Sequence, residues 1–276
     1  MMTTLPPHEK VKFWQAQDIG QLDLLHATYI THAFSRHIHN GYAIGVIEKG
    51  AETFYYRGKT YVAPAGHIVV INPGEVHTGQ ALTDAGWTYR MLYPEVDLVQ
   101  QAAQEVSGRW RNFPNFPQPV IQDDALVPVI RNLHLTLEQS SSALERETHF
   151  VSALVQLIAR HADGKPRLLP VSKAHKGVLR AQEYLRVHYP ENISLEQLAN
   201  IAELSPFHFT RVFRQMVGLP PHTYLTQIRI EQAKTLLTQG YPIVQTALDT
   251  GFTDQSHLTK RFKSIVGVTP GQYQIK

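Results

Sequence analysis

The chain has 276 residues, 43% apolar and 18% charged, values that are ordinary for a globular protein and sufficient for two domains. It contains no cysteine, which excludes disulfide bonds and thiolate metal sites and fits a reducing compartment. No apolar segment approaches the roughly 20 residues that cross a bilayer, and the first residues lack a signal-peptide pattern. A cytoplasmic protein with no membrane association is expected.

The net charge of +3 is unevenly distributed. Residues 172–276 contain 12 Lys and Arg against 7 Asp and Glu, which gives them a net charge of +5, and the preceding residues carry −2. A basic C-terminal part behind a mildly acidic N-terminal part is typical of a nucleic-acid-binding domain attached to a domain with another task.

The N-terminal part is predicted to be a β domain. Residues 1–20 show little periodicity and are interpreted as an N-terminal arm. Short apolar strands then alternate with Gly and Pro turns, a pattern that predicts a small sandwich or barrel. The predicted strands are residues 42–48, ending at a Gly50 turn, 53–56, 68–71 and 87–93.

Residues 95–121 are predicted to be irregular, and two amphipathic helices follow before residue 161. Asp123 or Asp124 can cap the first helix, and Ser142 with Glu145 can cap the second. Their apolar stripes either cover the β domain or form a dimer interface, and the sequence leaves both open. The stripes are Leu126, Val129, Ile130, Leu133 and Leu137, and Phe150, Ala153, Leu154, Leu157 and Ile158.

The C-terminal part contains one segment twice. Residues 205–224 align with residues 254–273 without a gap. This self-similarity indicates one supersecondary unit used twice, each copy a short helix that ends at its glycine, Gly218 or Gly267. Seven positions are identical: His208/His257, Thr210/Thr259, Phe213/Phe262, Val217/Val266, Gly218/Gly267, Pro221/Pro270 and Tyr224/Tyr273.

A shorter helix precedes each copy. Ser194 and Gln197 form a capping-box pattern before the first, and Pro242 opens the second. A helix, a tight turn and a cationic helix form a helix-turn-helix unit. Two units are therefore predicted, at about 194–218 and 242–267, joined by a long helix.

The second helix of each unit is predicted to read DNA. In the first unit, Phe209 and Phe213 belong to an apolar stripe, and the other side carries side chains that donate hydrogen bonds to base edges and phosphates. Ser205 is placed to cap this helix. The predicted DNA-binding residues are Phe207, His208, Thr210, Arg211 and Arg214 in the first unit, and Gln255, Ser256, Thr259, Lys260 and Lys263 in the second.

Residues 173–276 resemble the DNA-binding domain of the AraC/XylS family of bacterial transcription regulators, most closely from Ala247 to Tyr273. Gln274 departs from the pattern, in which an arginine commonly follows the tyrosine. Three N-terminal segments resemble the cupin-type sensor domain that precedes this domain in the family: residues 37–39, 41–42 and 72–77.

The resemblance implies an α+β protein of two domains. The N-terminal domain (21–161) would be a cupin-like β-barrel or jelly roll with dimerisation helices. Residues 162–172 would be a linker, and residues 173–276 an all-α domain of seven helices with both helix-turn-helix units. Such a protein is a regulator rather than an enzyme. Its expected partners are double-stranded DNA, a small-molecule effector, RNA polymerase and a second copy of the chain.

Several N-terminal residues are candidates for effector binding. Trp87 and Tyr89 share one sheet face and can stack on a ring or a sugar. Arg90 points to the other face, so Arg36 is the alternative cation. The full candidate set is Arg36, His39, Tyr42, His77, Trp87, Tyr89 and Arg90.

A metal-dependent cupin enzyme, or a metal sensor, fused to a DNA-binding domain is the alternative. His37, His39 and His77 supply three ligands, and three histidines can hold zinc. The glutamate of cupin metal sites is missing, because residues 40–45 contain no carboxylate, and the sequence identifies no partner that orients the imidazoles. Neutral histidines that line an effector pocket or brace the structure are therefore predicted, with no metal or cofactor. A third hypothesis is a sensor domain that serves only for dimerisation.

Overall fold

The computed structural model describes residues 9–20, 22–107, 113–163 and 175–274. The chain divides into two units, residues 1–139 with 152–169, and residues 140–151 with 170–276. The strands are β1 (Lys10–Ala16), β2 (Leu22–Tyr29), β3 (Ala33–His37), β4 (Ala43–Tyr56), β5 (Lys59–Pro64), β6 (Ile68–Ile71), β7 (His77–Ala81), β8 (Trp87–Tyr93) and β9 (Val120–Ile121). The helices are α1 (Val96–Ser107), α2 (Val127–Gln139), α3 (Ala143–His161), α4 (His175–Val187), α5 (Leu195–Ala202), α6 (Pro206–Val217), α7 (Pro221–Thr238), α8 (Ile243–Asp249), α9 (Gln255–Val266) and α10 (Pro270–Gln274). Within the described residues, no helix is both long enough and apolar enough to cross a membrane.

Strand β4 connects the two sheets of the first unit. Its first half pairs with β6 and β8, and its second half pairs with β5 and β7, all antiparallel. The register shifts between Ile47 and Lys49. Gly50 adopts a φ of 67°, and a Cβ atom there would lie 2.1 Å from the Gly86 carbonyl oxygen. The predicted strands 42–48 and 53–56 are thus one continuous strand with a bulge between Ile47 and Lys49. Instead of a turn, Gly50 occupies a paired position just after this bulge, where its positive φ and the approach of Gly86 favour glycine.

The first sheet has the order β1-β2-β8-β4-β6-β9, and the second contains β3, β7, β4 and β5. One apolar cluster contains side chains from both sheets, including Trp87 and Met91 from β8 and Phe54 and Tyr56 from β4. Tyr93 packs against this cluster. The alternation predicted for β8 is therefore confirmed, since every second residue turns to the core.

Two segments are more regular than the sequence indicated. Residues 10–16, assigned to the N-terminal arm, form the edge strand β1 along β2, whereas residues 1–8 lie outside the described residues. The segment expected to be irregular contains α1, in which Val99, Ala102 and Ala103 are completely buried. Two of these three residues are alanine, so the helical period has little hydrophobic contrast in the sequence.

Both helices predicted after residue 121 are present with their caps. The Asp123 carboxylate accepts from the Leu126 backbone nitrogen at 3.0 Å, and the Ser142 hydroxyl accepts from the Glu145 backbone nitrogen at 3.3 Å. Helix α2 packs on β4 and β8. The apolar stripes are buried within a single chain, so they do not remain available for a dimer interface. Their buried members are Leu126, Ile130, Leu133, Leu137, Phe150, Ala153, Leu154, Leu157 and Ile158.

The second unit contains seven helices within residues 175–274, in agreement with the prediction. Helices α5 and α6 form the first helix-turn-helix unit, α8 and α9 form the second, and α7 joins them. The capping box is confirmed, because Ser194 accepts from the Gln197 backbone nitrogen and Gln197 accepts from that of Ser194. Gly218 and Gly267 end α6 and α9 in the left-handed conformation, with φ of 81° and 90°. Of the expected linker, only residues 162 and 163 are described.

Candidate functional site

The exposed face of α9 carries the residues predicted to read DNA in the second helix-turn-helix unit. Asp254 caps the helix by accepting from the His257 backbone nitrogen at 2.8 Å, and Phe262 is completely buried on the other side. Arg261 is bound to Glu145 and does not belong to this surface. The α9 surface therefore offers hydrogen-bond donors and two ammonium groups, with no carboxylate among its lining residues. These are Gln255, Ser256, Thr259, Lys260, Lys263 and Ser264.

Helix α6 buries more of its circumference than predicted. Phe209 and Phe213 are completely buried as expected, and Val212 is buried beside them. Thr210, expected on the side opposite the apolar stripe, is only 7% exposed. It lies three residues before Phe213 of the stripe, and residues three or four apart are neighbours on a helix. Its hydroxyl donates to the Pro206 carbonyl oxygen, one turn earlier.

The remaining α6 candidates differ in exposure. Phe207 is 6% exposed, so the structure does not present its ring on the surface. Arg214 is exposed, whereas His208 and Arg211 are half-buried. Nη2 of Arg211 lies 3.4 Å from Nδ1 of His208, and its Nε and Nη1 are buried without a hydrogen-bond partner. Helix α6 therefore exposes fewer of its predicted DNA-binding side chains than α9 does.

The first unit contains an open cavity of about 650 Å³, here called the outer cavity. Its size lies in the range of about 300–1,000 Å³ that small-molecule sites have. The charged groups among the described residues that line it are carboxylates, Asp23, Glu95 and Asp97, without a lysine or arginine. The other lining residues are Phe13, Leu25, His39, Asn40, Gly41, Tyr42, Tyr93 and Val96.

A smaller cavity of about 70 Å³, the inner cavity, lies within the core of the same unit. His39 and Tyr93 line both cavities, so the two share a wall. Its apolar lining comes from Phe34, Ala43, Phe54, Val69, Ile71 and Met91. Its polar lining comes from His37, His39, Glu52, His77, Thr78, Tyr89 and Tyr93.

Burial favours the uncharged forms of several titratable groups in the inner cavity, namely Glu52, Tyr89, Tyr93, His39 and His77. It raises the pKa of Glu52 to about 8 and also raises the pKa of Tyr89 and of Tyr93. Burial, together with the neighbouring His77 and His37, lowers the pKa of His39 to about 4. The pKa of His77 is lowered chiefly by burial. The cavity thus offers neutral imidazoles and a carboxylic acid that can donate a hydrogen bond.

The structure brings some of the predicted effector residues together and separates others. His39, His77 and Tyr89 line the inner cavity, and Tyr42 lines the outer one, where its hydroxyl donates to the Pro114 carbonyl oxygen. Trp87 lines neither cavity, because its ring is packed between Tyr29 and Tyr89 in the core.

Neither predicted cation is among the described residues that line the outer or the inner cavity. Arg36 lies over the ring of Tyr55, with 5.3 Å between its guanidinium carbon and the ring centroid. Arg90 is on the other face of the sheet, as its alternation predicted, where it pairs with Glu48 at 3.1 Å and Glu138 at 2.9 Å. Their contact with an effector therefore stays a prediction that these two cavities do not support.

Glu52 is a cavity residue that the sequence interpretation missed. It lies two positions before Phe54 and four before Tyr56, so strand alternation places it on the core face. A Cβ atom on Gly79 would lie 2.6 Å from its Oε1, so the carboxyl occupies space that a glycine leaves free. The sequence signal for this residue was a carboxylate on the same face of the strand as Phe54 and Tyr56. Of the outer-cavity acids, Asp23 lies in β2, Asp97 lies in α1 and Glu95 directly precedes α1, and neither element was predicted from the sequence.

Two groups of side chains within the described residues could hold a metal ion. One is His37, His39 and His77 beside the inner cavity, whose possible ligand atoms lie within 4.8 Å of one another. The other lies in the second unit and consists of Glu145, His149 and His222, but Arg261 is already bound to Glu145.

Comparison with known proteins finds relatives along nearly the whole chain. The profile of an AraC-like ligand binding domain matches residues 19–154, and that of a helix-turn-helix domain matches residues 198–275. A Bacillus subtilis protein named uncharacterized HTH-type transcriptional regulator YbfI is 34% identical over 92% of this chain and 88% of its own length. The arabinose operon regulatory protein of Escherichia coli is 24% identical over 85% of this chain and 80% of its own. Among solved structures, the C-terminal domain of AraT, a response regulator from Geobacillus stearothermophilus, is 32% identical, with a TM-score of 0.35, over 37% of this chain and 87% of that chain.

Proposed function

Because the chain belongs to the AraC family of transcriptional regulators, we propose that it binds specific DNA sequences under the control of a small molecule held in its cupin-like first unit. The named relatives are regulators and not enzymes. The observation that carries the DNA-binding part is the α9 surface, which presents Lys260 and Lys263 among hydroxyl and amide groups without a carboxylate.

In each of the two reader helices, α6 and α9, residues near the start and residues further along have different proposed roles. Side chains in the first turns, such as Gln255 and Ser256, reach base edges when the N-terminal half of a helix enters the major groove. Lys263 and Arg214, further along their helices, contact phosphates and set the register. Arg211 lies nearer the start of α6, and its guanidinium can donate to the acceptors of a guanine edge if the half-buried side chain turns toward the groove.

The effector is proposed to bind in the outer cavity and to carry hydroxyl or cationic groups. Three carboxylates and an amide line this cavity, and no basic residue within the described part of the chain is present to balance an anionic ligand. His39 and Tyr93 transmit contact with the ligand to the inner cavity, because they line both. The ligand controls transcription if it binds one arrangement of the protein more tightly than another.

The proposal includes a homodimer and RNA polymerase as partners, and a cytoplasmic location where the chromosome is accessible, as the family resemblance implies. The buried apolar stripes of α2 and α3 leave the dimer contact to other surfaces.

Binding of the purified chain to a random duplex pool, followed by sequencing of the bound fraction, tests the DNA-binding part. An enriched motif is expected for the native protein, and the K260A/K263A double variant should recover it at least tenfold more weakly. The K234A variant is the matched control, because Lys234 pairs with Glu231 on α7, away from the α9 surface. A native protein that enriches no motif contradicts the proposal.

Thermal unfolding in the presence of ligand classes tests the effector part. Neutral monosaccharides, primary amines and carboxylates of similar size are compared at equal concentration. We expect stabilisation only from members of the first two classes, and we expect D97N to lose it. D84N is the control variant, because Asp84 is exposed and does not line the outer cavity. Stabilisation by carboxylates alone would contradict the proposal, because it would mean that the cavity prefers anionic ligands.

A further inference from the structure

In the second unit, which includes the first half of α3, one carboxylate and two imidazoles lie close together. Glu145 and His149 are one turn apart on the same face of α3, and His222 is the second residue of α7. The ring centroids of His149 and His222 are 4.8 Å apart. The possible ligand atoms of the three residues all lie within 4.8 Å of one another. This donor set suits zinc and related divalent transition metals.

One ring nitrogen of His222 has no use within the described part of the chain. Its Nδ1 is buried and has no hydrogen-bond partner there, whereas Nε2 lies 3.1 Å from the Thr223 hydroxyl oxygen. When Nε2 donates its hydrogen to this hydroxyl, Nδ1 keeps a lone pair. Burial lowers the pKa of His222 and of His149, which favours the neutral rings that bind metals. A buried nitrogen without a partner costs stability, and a metal ion would satisfy it.

The Glu145 carboxylate already holds a cationic group. One oxygen accepts from the Arg261 guanidinium, and the other accepts from the Ser140 hydroxyl at 2.8 Å. Although burial opposes ionisation, Arg261 and Ser140 hold the pKa of Glu145 below its usual value. The side chain of Arg261 is 37% exposed and that of Glu145 only 11%, so Arg261 can turn into solvent and leave its place to another cation. Ser140 would still orient the carboxylate, as outer partners of metal ligands do.

We propose that Glu145, His149 and His222 bind one divalent transition-metal ion of the zinc class in exchange for the Arg261 guanidinium. Ligand atoms around a tetrahedral zinc ion stand about 3.3 Å apart at zinc–ligand distances of about 2.0–2.1 Å, so side-chain rotations of about 1 Å close the set. Three protein ligands leave the fourth position to water. The ion links α3 to α7 and releases α9 from its ion pair with α3. This site goes beyond the proposed regulation and does not depend on DNA binding.

Cobalt(II) titration of the chelator-treated full chain tests the site, because tetrahedral Co²⁺ absorbs visible light strongly and Zn²⁺ displaces it. The chain carries H37A throughout, since His37 belongs to the other group of possible ligands and its loss restricts the readout to this one. We expect one Co²⁺ per chain, with a dissociation constant at least about tenfold weaker when H149A or H222A is added. Adding R261A should tighten binding about two- to fivefold, because it removes the competing ion pair.

The matched control is H188A in the same chain. His188 also lies beside a carboxylate, with its Nδ1 2.7 Å from Glu191, but it stands outside both groups of possible metal ligands. Its loss should leave Co²⁺ binding unchanged.

Three results would overturn the proposal. They are the absence of stoichiometric Co²⁺ binding in the H37A chain, binding that H149A leaves unchanged, and binding that R261A fails to tighten. Thermal unfolding of each metal-free variant is measured as well, and if H222A does not fold, half-buried His149 decides the question through H149A. DNA binding without Co²⁺ binding would remove this site and leave the proposed regulator in place.

Discussion

The ring of Phe262 meets the ring of Tyr273 edge-on, with centroids 5.3 Å apart and an interplanar angle of 69°. Phe213 and Tyr224 repeat this contact in the first helix-turn-helix unit, at 5.6 Å and the same angle. The repeated residues of the sequence are thus a repeated packing contact, in which the helix after each reader helix supplies the tyrosine.

The first prediction concerns this contact. Phe262 is completely buried among residues of α7, α8 and α9, so truncation leaves a cavity. Phe262→Ala should lower the free energy of unfolding by about 3–5 kcal/mol, measured by urea unfolding of the second unit's signal. Ile265→Ala on the same helix is the control, because Ile265 is 43% exposed and should change stability far less. Equal effects of the two substitutions would place the apolar face of α9 elsewhere.

The second prediction concerns base reading by α6. Two guanidinium nitrogens of Arg211 are buried and have no hydrogen-bond partner among the described residues, so the side chain has to turn outward to donate to a base edge. Arg211→Ala should weaken binding to the selected motif by about 1–3 kcal/mol and relax the preference at one base pair. Competition binding against single-base variants of the motif measures both quantities. Unchanged affinity with an unchanged preference would show that Arg211 does not read a base.

The third prediction concerns phosphate contacts. Lys263 and Arg214 are exposed and lie one turn or more beyond the first residues of their helices. Lys263→Ala should weaken binding to every sequence about equally and reduce the slope of log K against log salt by about one. The same titration on K234A should reproduce the native slope. A change of sequence preference in K263A would instead make Lys263 a base reader.

The fourth prediction concerns the length of the DNA site. Two reader helices joined by one long helix, α7, should enter successive major grooves about one turn of 10–10.5 base pairs apart. One chain should therefore protect roughly 20 base pairs in a footprint, and a dimer on paired sites twice that length. Protection of about 8 base pairs per chain would mean that only one unit is docked.

The fifth prediction concerns Glu52 and pH. Its pKa is raised from about 4.5 to about 8 in the folded protein, so the folded state retains a proton that the unfolded state loses. Stability should therefore fall as pH rises between these two values, by up to about 1.4 kcal/mol per pH unit, and the cost should remain above pH 8.

Glu52→Gln removes this pH dependence. Urea unfolding of both proteins with chelator present at pH 5 and pH 8 measures the effect. The variant should gain stability relative to the native chain at pH 8 and show little difference at pH 5. His37, His39 and His77 face the same cavity but are common to both proteins, so their titration cancels in the comparison. Parallel pH profiles of the two proteins would contradict a buried, proton-retaining carboxyl.

Local chemistry explains what the sequence by itself determined. Ser194 with Gln197, Ser205 and Asp254 cap helices through backbone groups three residues away, and Gly218 and Gly267 end helices through their own φ angles. These interactions need no distant partner, so the two helix-turn-helix units and their boundaries could be read from the chain. The repeated cationic helices likewise indicated DNA binding before any packing was known.

Only the tertiary structure decided what depends on residues far apart in the chain. The bulge of β4 between Ile47 and Lys49 and the close approach of Gly86 to Gly50 both depend on the pairing of β4 with β8. Thr210 and Trp87 are buried by contacts that the period of a helix or a strand does not reveal. His37 and His77 are paired by strand register across 40 positions, and Glu52 reaches the same cavity from β4. Register and sheet pairing bring these groups together, because the energy of a pleated sheet is set by long-range contacts rather than by local propensity.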